Sequence, residues 1–210
     1  MKTTESYCLF IDVLGFNERT IEAFESGNGD LLLDEYLNAV TKQIKDISNT
    51  QESIKKYSGK ETFKIKVFTD NVVLSKTVTS IHGLTELEEL IHPVMKICLN
   101  LALSGFFIRG GWDYGKLFMD DMTVFGPALL DAYSLESNTA IYPRIAISRV
   151  AREMFSNLSD QYHDPETSPL NQWFRIDKDG VMFVNYLWEC VEQLEDTGHY
   201  LFSENAIKVH

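Results

Sequence analysis

Residues 7–13 (YCLFIDV) form a short, almost wholly apolar run, the pattern of a strand buried on both faces. Gly15 ends it, Asn17 stands where it can cap a helix through Phe24, and the SGNGD turn stops that helix. Leu33, Leu37, Val40, Ile44 and Ile47 recur at helical spacing and predict a second helix over 31–47. The polar stretch SNTQESIKKYSGKET then reads as helix end and loop. Residues 63–68 and 72–78 are rich in β-branched side chains and flank Thr69-Asp70-Asn71, which predicts a hairpin. Thr85 and Glu88 have capping-box spacing and open a helix toward Leu103, where Ser104-Gly105 halts it.

Strand patterns return at 106–112 and 116–125, with Gly110, Gly111 and Gly115 marking turns or close backbone approaches. Pro127 suits the first turn of a helix reaching Ser137. A strand over 141–148, a short helix over 150–155 and a loop over 160–170 follow. A hairpin of 173–176 with 181–187, around Asp177-Lys178-Asp179-Gly180, precedes a last short helix. The order β-α-α-β-β-α-β-β-α-β-α-β-β predicts an α+β domain with helices on one face of a mainly antiparallel sheet.

Composition narrows the function. The 210 residues are 44% hydrophobic, enough for one domain with a full core. Lys and Arg total 19 against 31 Asp and Glu, a net charge of −12, so a nucleic-acid or membrane-surface binder is disfavoured. An anionic substrate would need a metal ion or local cations to offset that field. Cys8, Cys98 and Cys190 are scattered and odd in number, which suits a reducing cytoplasm and neither a disulfide framework nor a zinc site. The five histidines make no HxH or HxxxH pair. The first residues lack a signal-peptide run, and no stretch reaches the ~20 apolar residues of a membrane span.

Two acids interrupt apolar strands. Asp12 ends YCLFIDV and Asp70 sits in the FTDN turn. Read singly, Asp12 is equally a helix cap and Asp70 a turn former. Brought together they would repel unless a cation lay between them, and the oxygen-rich pair would suit Mg²⁺ or Mn²⁺. The strand-to-helix turn after Asp12 (Val13 to Asn17) offers free backbone N–H groups to phosphate oxygens. Lys66 lies ~13 Å from Asp70 along its own strand and reads as an edge charge or a ligand contact. Arg109, between apolar residues and two glycines, reads as an ion-pair partner or a ligand contact. Arg144 and Lys178 read as ion-pair cations.

FIDVLGF, KVFTDNVVLS, FIRGGWDYG and TVFGPALLDAYSLES together resemble, in order and spacing, the class III nucleotidyl cyclase catalytic domain, over residues 7–148. RGGWDYG, PRIAIS and DKDGVMFVNYL are most similar to the pyrimidine cyclases of bacterial anti-phage (Pycsar) systems, which make cyclic UMP or cyclic CMP. The resemblance implies a ferredoxin-like palm, a single domain over 1–210 with its core at about 6–148 and an extension at 149–210. It also implies two Mn²⁺ or Mg²⁺ ions on Asp12, Asp70 and the Val13 carbonyl, and a triphosphate over Gly15, Phe16 and Asn17. The base would be read by Lys66 and Thr123, across the interface of a homodimer with shared sites. Leu130 and Ser134 stand where purine cyclases carry an Asn and an Arg, so the transition-state cation would be Arg109, with Arg144 or Lys178 in reserve. The implied reaction converts UTP, in preference to CTP, to its 3′,5′-cyclic nucleotide and pyrophosphate, the product acting on a separate effector. A purine cyclase and an inactive nucleotide-binding or dimerisation module are the rival readings.

Overall fold

The computed structural model describes residues 2–58, 63–80, 83–160, 162, 164 and 167–191. The end of the polar loop at 59–62, residues 192–210 of the expected C-terminal extension, and His82, His163, His199 and His210 lie outside the described residues.

Strand β1 (Thr4–Val13) lies inside the sheet, paired antiparallel with β3 (Asn71–Thr77) on one side and β4 (Ile108–Met119) on the other. β2 (Lys64–Phe68) forms the expected hairpin with β3. Beyond β4, β6 (Ile145–Ile147) joins in parallel, then β8 (Met182–Val184) and β7 (Phe174–Ile176) antiparallel, giving the order β2-β3-β1-β4-β6-β8-β7. The short β5 (Val124–Phe125) turns back onto the end of β4.

The double burial read from YCLFIDV is present. Tyr7, Leu9, Ile11 and Val13 enter the larger core, under α2 (Gly29–Ser58), α3 (Leu84–Leu103) and α5 (Arg149–Ser159). Cys8 and Phe10 enter a second cluster with Val73, Leu117 and Met119, covered by Ala128 and Ala132 of α4 (Pro127–Asn138). Helices therefore cover both faces of the sheet, not the expected one. The contact stripe of α4 is made of alanines, too slight to register as an apolar face. Its closeness explains Gly111: a Cβ there would stand 2.1 Å from the Ala132 carbonyl oxygen, so the helix backbone rests directly on β4. The expected close approach at this glycine is thus made by the protein's own helix.

Other boundaries move for local reasons. The segments 106–112 and 116–125 merge into one long strand, β4, with only a two-residue β5 after the turn. Helix α1 (Phe16–Glu25) begins at Phe16 with Gly15 in the left-handed region (φ 71°), so Asn17 is not its cap. The Thr85–Glu88 capping box does not form either. Glu86 instead ties the upstream loop to the helix, accepting from the backbone N–H groups of Thr79 (2.9 Å) and Ser80 (2.8 Å) and from both their hydroxyls. On α2 the buried row is Leu32, Tyr36 and Val40, while Leu33 and Leu37 are exposed. Ser148 caps α5 through Ala151 N–H, and α6 (Leu170–Trp173) is a single turn leading into β7. Among the described residues, no helix is long and apolar enough to cross a membrane, and the three cysteines are unpaired.

Candidate functional site

Asp12 is the penultimate residue of β1, on the face covered by α4. Its cross-strand partner on β4 is Arg109, whose Nε donates to Asp12 Oδ2 at 3.1 Å. Asp70 lies beyond the end of β2, in the turn into β3, and is buried. Because β3 neighbours β1, the turn brings Asp70 near enough that its charge acts on Asp12. Burial, then the negative charges of Asp70 and Glu136, push the Asp12 carboxyl up to about 6, against the pull of Arg109. Two carboxylates from adjacent strand ends thus act on one another from buried and half-buried positions. Among the described residues no group of three acids, histidines or cysteines forms a metal cluster. The side-chain donor set is this pair, and its mutual repulsion fits a divalent cation. Val13 ends β1 with its side chain in the core.

The Asp70 turn is held in place. Thr69 has φ 55°, a rare conformation for a β-branched residue. Its carbonyl accepts from the Tyr36 hydroxyl of α2 at 2.8 Å, and Asn71 Nδ2 donates to Thr69 Oγ1 at 3.4 Å and to Asp70 Oδ1 at 3.3 Å. Burial, then Asp70 and Asp12, push the Tyr36 phenol up to about 12, so it remains a donor. The expected row enters at Leu33 and Leu37, one position past Leu32 and Tyr36, and meets the buried face at Val40. The spacing Leu32, Tyr36, Val40 was the signal for Tyr36.

After Asp12 the chain turns through Leu14 and Gly15 into α1. No side chain caps α1, so the first-turn amides of Phe16 and Asn17 carry no side-chain acceptor. Phe16 leans on the Tyr36 ring, centroids 4.6 Å apart, and Asn17 is exposed. Gly15 has open space where a Cβ would be.

Lys66 and Thr123 both lie beside the Asp120 turn. The β4–β5 turn folds back over β2, with Lys64 Nζ donating to the Met119 carbonyl at 2.7 Å. Asp120 in that turn accepts from the N–H groups of Thr123 (2.7 Å) and Met122 (2.9 Å), which lower its pKa along with Lys66 and Lys64. Lys66 Nζ is buried without a hydrogen-bond partner. Lys66 stands on β2, separated from β1 and Asp12 by β3, beside the turn that holds Thr123. One chain therefore carries the expected base-reading pair and Asp12 on non-adjacent strands.

The reserve cations are occupied or remote. Arg144 is buried and bridges to Asp177 (3.1 Å) and Asp179 (2.6 Å), also donating to the Thr139 carbonyl at 3.0 Å. It ties the start of β6 to the β7–β8 turn, the ion-pair role. Lys178 is exposed in that turn. Leu130 and Ser134 lie on the exposed side of α4. Glu136, on the same helix, was not anticipated. It is buried and stands 2.6 Å from Arg109 Nε. Its spacing of four and eight residues from Ala132 and Ala128 puts it on the buried row.

No protein-family model matches the chain, and no curated protein matches it. Solved structures do. The catalytic core of a rhodopsin-guanylyl cyclase with converted specificity, in complex with ATPαS, superposes with a TM-score of 0.53 at 13% identity, over 88% of this chain and 97% of that one. A bacterial light-regulated adenylyl cyclase superposes with a TM-score of 0.53 at 17% identity, over 92% of this chain and 57% of that one. The chain has the class III cyclase fold, an α+β domain built on a mainly antiparallel sheet.

Proposed function

We propose that the protein is a cytoplasmic, metal-dependent nucleotidyl cyclase acting as a homodimer on a pyrimidine nucleoside triphosphate, UTP before CTP. The products are the 3′,5′-cyclic nucleotide and pyrophosphate. The observation that carries the reading is the convergence of Asp12 and Asp70 from adjacent strand ends, each otherwise a costly group at the margin of a core. With Val13 they would hold Mn²⁺ or Mg²⁺, which would supply activation of the ribose 3′-hydroxyl and neutralise phosphate charge.

The chain's own residues do the rest. The first-turn amides of α1 at Gly15, Phe16 and Asn17 receive phosphate oxygens. The Arg109 fork binds charge on the triphosphate. Lys66 and Thr123 of the partner subunit read the base, since within one chain they stand apart from Asp12. The described residues beyond 148 continue the same domain: α5, β7 and β8 extend its core and sheet. The pyrimidine choice and a role in anti-phage signalling through a separate effector rest on the likeness of RGGWDYG, PRIAIS and DKDGVMFVNYL to Pycsar cyclases.

A purine cyclase is the second reading, favoured by the adenylyl and guanylyl cyclases among the similar structures. An inactive module is the third, favoured by Leu130 and Ser134. Incubating the protein with each of the four nucleoside triphosphates and Mn²⁺, and identifying products by mass, separates them. Cyclic UMP or cyclic CMP as the main product supports the proposal. Cyclic AMP or cyclic GMP replaces it with the purine reading, and no product with the inactive one.

A further inference from the structure

Glu136 is a buried carboxylate that the reaction as proposed does not use. It sits in the last turns of α4, 3% exposed, with Oε2 accepting from Ser137 Oγ at 2.8 Å and Oε1 2.6 Å from Arg109 Nε. A carboxylate this buried is costly unless a cation offsets it, and Arg109 is the cation in contact. The helix cannot readily shift to relieve it, because Gly111 seats the α4 backbone directly on β4.

Arg109 shows the complementary pattern. Its Nε–H donates to Asp12, while Glu136 Oε1 lies 2.6 Å from the same nitrogen, buried and accepting no hydrogen bond; Nη1 and Nη2 hydrogen-bond to nothing among the described residues. Its side chain is one-third exposed (33%), so the free end of the fork reaches solvent. A divalent cation on Asp12 would compete with the guanidinium for its oxygens and repel the arginine, which weakens Asp12 as a restraint. Glu136 contacts the same Nε from the helix side and is free of that conflict.

We infer that Glu136 is a positioning residue. It anchors Arg109 through Nε when Asp12 is withdrawn, leaving Nη1 and Nη2 aimed outward as a fork for phosphate oxygens. The use of the fork rests on the cyclase reading; the anchoring does not.

The experiment follows the Arg109 Nε–H directly, in full-length protein labelled with ¹⁵N-arginine. Its resonance is identified by its loss in Arg109→Lys. Asp12→Ala removes the carboxylate acceptor without any metal. Hydrogen exchange at Arg109 Nε should stay within about threefold of wild type in Asp12→Ala, and rise about tenfold or more in Asp12→Ala/Glu136→Gln. Glu136→Asp, which keeps the charge, should stay closer to wild type than Glu136→Gln, and guards against a variant that misfolds. In turnover assays Glu136→Gln should lower kcat about 10–100-fold with little change in the Mn²⁺ requirement. Arg109→Lys/Glu136→Gln should be no slower than Arg109→Lys, since both remove one device. Unchanged exchange in the double variant, or losses that multiply in the kinetic cycle, would overturn the inference. A wild-type protein that cyclises no nucleotide would reject the cyclase reading and leave the exchange result standing as the test of the anchor.

Discussion

Asp12 is where the protein accepts a penalty in its fold. Its carboxyl is raised from an ordinary 3.8 to about 6, so the folded state binds more protons than the unfolded chain between those values. Stability then falls as pH rises through that window, and the loss is complete above about pH 6. Asp12→Asn should abolish this part of the pH dependence and leave the metal-free protein as stable or more so at pH 7, by on the order of 1–2 kcal/mol. Thermal melts from pH 4 to pH 7 check it. The same variant should lose cyclase turnover and any stabilisation by Mn²⁺. A variant that keeps wild-type turnover would remove Asp12 from the metal site. Tyr36 belongs to this scale too. Tyr36→Phe removes the donor that holds the Thr69 carbonyl, at a cost of about 1 kcal/mol. It should raise the Mn²⁺ concentration needed for half-maximal rate more than it lowers the maximal rate, because the Asp70 turn is loosened while its carboxylate remains.

Helix α3 and the contact of α4 with β4 are decided by backbone groups. Glu86 gathers four hydrogen bonds from Thr79 and Ser80, which outweigh the cost of burial and hold its carboxyl at about 2. A depressed pKa contributes stability above about pH 4.5 that is lost as pH falls toward 2. Glu86→Gln should therefore cost about 2 kcal/mol at pH 7 and almost nothing near pH 2, measured by urea denaturation at both. On β4, Gly111→Ala should destabilise by about 1–3 kcal/mol, because its methyl group meets a backbone carbonyl that can move only with the whole of α4. If α4 shifts instead, Arg109 loses its alignment with Glu136 and turnover should fall more than stability does.

Over the whole molecule, the expected site falls into two groups, Asp12 with Asp70 and Lys66 with Thr123. α4 and the β4–β5 turn also expose Met122, Phe125, Leu130 and Tyr133, each more than half exposed. The proposed shared-site dimer would account for both. Asp70→Ala and Lys66→Ala homodimers should each be impaired, and exchanging their subunits should restore activity in proportion to heterodimer, followed by native mass spectrometry at low substrate. Recovery arises because one of the two sites in each heterodimer is intact. Exchange without recovery would sink the shared site.

The apolar run of YCLFIDV, the β-branched hairpin around Asp70 and the proline that opens α4 were enough to place the two acids at strand ends and to order the elements. These are local signals: side-chain period, β-branching and turn chemistry act over a few residues and survive without knowledge of the fold. The second covered face of the sheet was not legible, because two alanines and a glycine carry little hydrophobic signal and their meaning lies in how closely two backbones approach. The capping box expected at Thr85 and Glu88 does not form, and the neighbouring Glu86 binds a loop upstream and not its own first turn. Arg109 illustrates the division most fully. Its guanidinium was plain in the chain, but its partners were not: Asp12 lies 97 residues away across a sheet register and Glu136 on a helix that must first settle on Gly111. The sequence determined which charges the protein owns; only the tertiary structure decided which of them face one another, because those pairings depend on register and helix placement summed over the whole fold.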